Sequence, residues 1–169
     1  MKGRLTVLSL LALGLVLVAA AASNLSGTWI LDKTKSDPVR MGRGGDSGGP
    51  RPDVNITLVI KQTANDLAIT RTMSMAGNDR TSEQKFTLDG KESTNPSSMG
   101  RGEFTGKAKM NNGRLVIEGI QKMSTPNGDF EIGVKDEFSL SEDGKVLTIN
   151  STRSTPMGDR TSKQVYNKQ

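Results

Sequence analysis

Four polar side chains on otherwise apolar strand faces carry the binding chemistry this sequence offers: Arg71, Asp136, Arg153 and Tyr166. Side chains alternate between the two faces of a β-strand, so residues of one parity point the same way. Arg71 continues the face of Leu67 and Ile69, and Arg153 that of Leu147 and Ile149. Asp136 shares its parity with Phe130, Ile132, Val134, Phe138 and Leu140. A guanidinium presents a planar fork of donors that suits carboxylate or phosphate. Two arginines against one aspartate leave an excess of positive charge, which favours an anionic head group. An unpaired buried charge is costly, so these groups must meet partners or water. Three other arrangements remain open. A β-bulge at Gly133 would turn Asp136 outward. Arginines near the ends of a barrel would run their stems out to solvent. Asp136 could also pair with one arginine as a structural bridge.

Catalysis has little to draw on. The chain has neither His nor Cys, so the commonest general base, the commonest metal ligand and thiol chemistry are all missing. No motif arranges carboxylates, lysines or the single Tyr for acid–base work, and an enzyme is not expected. Asp32, Asp37, Asp46 and Asp53 do not follow a calcium-loop spacing, so no metal and no cofactor is expected either. Without Cys there are no disulfides to staple the fold.

The elements that must position these residues are strands. Period-two segments run over Ser26–Asp32, Val54–Gln62, Asp66–Met73, Thr81–Leu88, Glu103–Met110, Arg114–Lys122, Asp129–Leu140, Lys145–Ser154 and Thr161–Lys168. Turn signals separate them, among them Asp89-Gly90, Asn112-Gly113, Asn127-Gly128 and Asp143-Gly144. Asn-Gly and Asp-Gly supply the positive φ angles of tight hairpins. The sequence therefore predicts an all-β fold, an antiparallel up-and-down meander of 8–9 strands closed into a barrel. Two stretches break the pattern. Lys33–Asp53, rich in Gly and Arg, predicts a flexible loop, and Ser93–Gly102 a shorter one.

Residues 1–22 read as a secretory signal: Lys2 and Arg4, then the apolar run to Ala20-Ala21-Ala22 before Ser23. The run is short for a membrane span. A single domain over residues 23–169 is expected, periplasmic or secreted and monomeric, with no stable membrane insertion after cleavage. One Trp and one Tyr are too few for the aromatic girdles of an outer-membrane barrel. Without the signal the hydrophobic share falls from 33% to about 27%, low for a dry globular core, so a thin core or a partly polar interior follows. Loss of Lys2 and Arg4 lowers the net charge from +5 to +3. That is a mildly basic, solvated surface and not a nucleic-acid footprint.

A faint repeat links Thr72–Ser82 with Thr152–Ser162, both ending Asp-Arg-Thr-Ser, and Met123–Asp129 is a weaker copy. Either three hairpins share turn chemistry, or their tips line one end of the barrel.

Leu25-Ser26-Gly27-Thr28-Trp29-Ile30-Leu31-Asp32 resembles the first strand of the calycins, the superfamily of lipocalins and fatty-acid-binding proteins. The chain is also similar to small exported lipocalin-like proteins of bacteria. The shared marks are this Gly-Thr-Trp opening, Lys35-Ser36-Asp37, the turn Leu88–Glu92 and the final Gln164-Val165-Tyr166. The resemblance implies a structural role for Gly27 and Trp29, with Trp29 closing the barrel base. It also implies a late basic residue packed across the Trp, Arg153 in first place and Lys168 as substitute. Fatty-acid-binding proteins carry Arg-x-Tyr on the last strand to grip a carboxylate, whereas here Gln164 precedes Tyr166 by two. The expected function is a barrel that holds a small amphipathic or apolar ligand. The other reading is a ligand-free envelope protein acting through its loops and hairpin tips.

Overall fold

The computed structural model describes residues 23–39, 53–98, 102–125 and 128–169. The predicted signal, most of the 33–53 loop, residues 99–101 and the turn at 126–127 lie outside them. Ten strands form one antiparallel sheet: β1 (Gly27–Leu31), β2 (Val54–Gln62), β3 (Asp66–Met75), β4 (Asn78–Thr87), β5 (Asp89–Pro96), β6 (Glu103–Asn111), β7 (Arg114–Thr125), β8 (Gly128–Leu140), β9 (Val146–Thr155) and β10 (Gly158–Lys168). Their order is β4-β3-β2-β1-β10-β9-β8-β7-β6-β5. Each strand beside its sequence neighbour is the signature of an up-and-down meander. β1 pairs with both β2 and β10, so the two ends of the chain zip together.

The count exceeds the expected eight or nine by β5. Its residues 91–96 (Lys-Glu-Ser-Thr-Asn-Pro) hold no apolar side chain, so no hydrophobic alternation announces them, and the expected break at Ser93–Gly102 begins inside a strand. β4 and β5 are consecutive in sequence yet share no ladder. Side chains bridge them instead. The Asn95 carboxamide accepts from the Lys85 N–H at 2.7 Å and donates to the Lys85 carbonyl at 3.0 Å. Gln84 donates to the Pro96 carbonyl at 3.2 Å. Behind the gap Phe86 meets Phe104 edge-on, centroids 6.1 Å apart. The barrel is nearly closed.

The meander puts the turns after β2, β4, β6 and β8 at one end, with the chain ends. This base is sealed. Trp29 is fully buried and its indole N–H donates to the Leu25 carbonyl at 2.9 Å, while Leu25 N–H donates to Gln62. Trp29, Leu58, Ile60, Leu67, Phe86, Leu115, Leu147 and Tyr166 are all at most 3% exposed. Each large apolar side chain so buried contributes about 1.5–3 kcal/mol. Where β1 ends, the following segment takes over its ladder along β10. Asp32 N–H donates to the Val165 carbonyl, the Ser36 hydroxyl accepts from Val165 N–H at 2.8 Å, and Asp37 exchanges two hydrogen bonds with Lys163. That gives the Lys35-Ser36-Asp37 stretch a structural reason.

Candidate functional site

The other end of the barrel is its mouth, and inward side chains change character on the way up to it. Below, they are buried. Above, Arg71, Met73, Met75, Ser82, Met123, Ile132, Asp136, Ser151 and Arg153 are only half-buried. Strand registers put them on the inner face: Arg71 lies opposite Leu58 and Ser82, and Asp136 opposite Ile117 and Ser151. The inner face is a cup, closed off from solvent at the floor and partly exposed above it.

All four sequence-predicted polar residues gather around this transition. Gly133 pairs regularly with Ile120 and with Ser154, so β8 carries no bulge there and Asp136 points inward. Arg153 grips Asp136 with both terminal nitrogens, at 2.6 and 3.2 Å, across the β8–β9 ladder. Their side chains keep 30% and 19% exposure, so the bridge is only partly shielded from solvent. Tyr166 is fully buried and its hydroxyl donates to Gln164 Oε1 at 2.8 Å. Burial pushes its pKa up to about 12; the charge of Arg71 pulls it down and that of Asp136 pushes it up. Arg71 and Asp136 thus act on one hydroxyl through their charges, from different strands. Tyr166 and Gln164 together form the floor beneath the arginines.

Among the described residues two inward donors stand unsatisfied: Arg71 Nε and Gln121 Nε2 are buried without a hydrogen-bond partner. Gln121 lines a cavity of about 10 Å³ with Gln84, Ser98, Phe104, Ile117, Val134 and Asp136, room for about one water. Parity alone could have found Gln121, which continues the face of Leu115 and Ile117, and Gln84, which continues that of Phe86. Asn95, also buried, had no apolar run to betray it.

The basic residue across Trp29 is Lys168, not Arg153. Lys168 Nζ stands 5.3 Å from the indole centroid, within cation–π range. Arg153 is committed to Asp136, half a barrel higher. Gly27 makes room for this packing: a Cβ there would lie 2.9 Å from Lys168 Cε and 3.6 Å from Trp29 Nε1.

The likeness to known proteins lies in the fold. No family model matches the chain, and no curated protein sequence matches it. A solved structure, the zebrafish ileal bile acid-binding protein complexed with cholic acid, superposes with a TM-score of 0.60 at 23% identity, covering 86% of this chain and 98% of that one. So remote an identity bears on architecture alone. The likeness shows the fold: nearly the whole of that barrel is matched by this antiparallel up-and-down meander, whose first and last strands pair beside Gly27 and Trp29.

Proposed function

We propose that the protein is an exported barrel that binds one small amphipathic molecule, its anionic head directed to the arginines of the cup and its apolar part against the methionines and Ile132 of the upper wall. The observation that carries this reading is the buried, partnerless Nε of Arg71. A guanidinium held at the edge of a partly exposed interior is a costly arrangement unless an acceptor completes it. Arg153 already has its carboxylate, which leaves Arg71 without one among the described residues of this transition. Met73, Met75 and Ile132, half-buried around the upper wall and packed on the core, offer the apolar contact. The relative in the bile acid-binding fold supports the reading only as an instance of the same architecture with a ligand inside. Export rests on residues 1–22, which read as a secretory signal.

Titration with a fluorescent fatty acid and with an uncharged analogue tests it, on wild type and Arg71→Leu. Wild type should prefer the acid, and the variant should lose about 10–100-fold in affinity for it, the worth of one charge-assisted hydrogen bond of about 1.5–3 kcal/mol. Equal binding of both probes by wild type refutes the head-group assignment. No binding at all would favour the structural barrel, the reading that the Asp136–Arg153 bridge and the small enclosed cavity support. Amino-terminal sequencing of the exported protein tests cleavage before Ser23.

A further inference from the structure

The repeated Asp-Arg-Thr-Ser of residues 79–82 and 159–162 is not needed to make a turn, yet both hairpins place it alike. The tips after β3, β7 and β9 all fall at the mouth, as the meander requires. In each copy the register turns the arginine to the inner face and the aspartate out. Arg80 lies opposite Met73 and shares parity with buried Phe86; Arg160 lies opposite Arg153 and shares parity with buried Tyr166. On the mouth half of the inner face, the described strands therefore carry Arg71, Arg80, Arg153 and Arg160 against Asp136 alone. Arg153 and Arg160 are direct cross-strand neighbours, a like-charge pair that costs stability in an empty barrel. Arg71 and Arg80 are diagonal neighbours on β3 and β4. Asp136 satisfies only Arg153.

Resting on the proposed ligand-binding reading, we infer that the head group carries two negative charges on one centre, as the phosphate monoester of an amphiphile does. A monocarboxylate neutralises one guanidinium and saturates with one fork. A phosphate dianion has three terminal oxygens to share among forks converging from different strands, and its charge offsets more of the excess of three. The rim arginines Arg80 and Arg160 are then specificity-determining residues, with Arg71 as the deeper contact.

The chain allows a clean test, because it has no His and no Cys and its Tyr is pushed up to about 12. No side chain of ordinary pKa titrates between pH 5.5 and 8. The charges that face the rim arginines are Arg71 across β3 and Arg153 and Asp136 across β9 and β8; Asp79 and Asp159 point out. A phosphate monoester gains its second charge near pH 6. Calorimetric titration would use decyl phosphate and decyl sulfate, a permanent monoanion, below their micellar concentrations at pH 5.5 and 8. The expected result is decyl phosphate binding tightened about tenfold or more at pH 8, with decyl sulfate unchanged. The double variant Arg80→Gln, Arg160→Gln should abolish that rise, so that decyl phosphate binds it no more tightly at pH 8 than at pH 5.5. Both residues are exposed, and an unchanged or higher Tm would show the variant folded. Equal affinity for phosphate and sulfate at pH 8, or a rise that survives in the variant, overturns the inference while leaving the binding barrel intact. Failure of both probes to bind overturns the two together.

Discussion

Asn95→Ala should open the one seam in the barrel that has no backbone ladder. The carboxamide holds β5 to β4 through two bonds to a single residue, accepting from Lys85 N–H at 2.7 Å and donating to Lys85 C=O at 3.0 Å. At 7% exposure Asn95 is buried, so neither bond is a surface ornament. Truncation breaks both and leaves a strand N–H and C=O unpaired. At about 1 kcal/mol net for each bond, with water entering the seam to limit the orphan penalty, the loss is about 2 kcal/mol. For a domain of this size that lowers Tm by about 4–8 °C. The sharper readout is hydrogen exchange at the Lys85 amide, which should accelerate about 30-fold while amides of the β1–β10 ladder follow only the global change. Asn95→Asp keeps an acceptor but loses the donor and should fall between. A Tm drop with Lys85 exchange unaltered beyond the global change would refute the clasp, leaving Asn95 to act through packing.

Trp29 fluorescence should be blue-shifted in the native state and red-shift on unfolding, and Trp29→Ala should cost about 3–5 kcal/mol; a solvent-exposed native spectrum would contradict its burial. Asp136→Asn leaves the Arg153 guanidinium without its carboxylate and should cost about 1–3 kcal/mol, between exposed and buried ion pairs, as chemical denaturation would read. The phenol of Tyr166 should resist ionisation until near pH 12 in the folded protein. Its folded pKa lies above the unfolded value of 10.0, so the stability tied to that shift is intact below pH 10 and is lost as pH rises toward 12; the alkaline loss of stability, followed by circular dichroism, should be smaller in Tyr166→Phe. Gly119→Ala should prevent normal folding, since its methyl would lie 2.2 Å from the Thr105 carbonyl oxygen, whereas Gly133→Ala meets only Ser154 Cβ at 3.1 Å and should be mild; comparable soluble yields and Tm for the two would contradict the close backbone approach at Gly119.

Local alternation determined the strands, the hairpins and the inward parity of Arg71, Asp136 and Arg153, because strand geometry assigns faces with a period of two whatever the sheet does next. Turn chemistry did the same for Asn112-Gly113, where both residues take positive φ. β5 escaped because its inward positions, Asn95 among them, are polar; their burial comes from closing the barrel, not from hydrophobicity. Parity also cannot say which partner a charge meets. Only the registers of β8, β9 and β10 bring Asp136 to Arg153, leave Arg71 without an acceptor and lay Lys168 over Trp29. Those pairings join residues far apart in the chain, and their energy depends on distances that exist only once the sheet has curved back on itself.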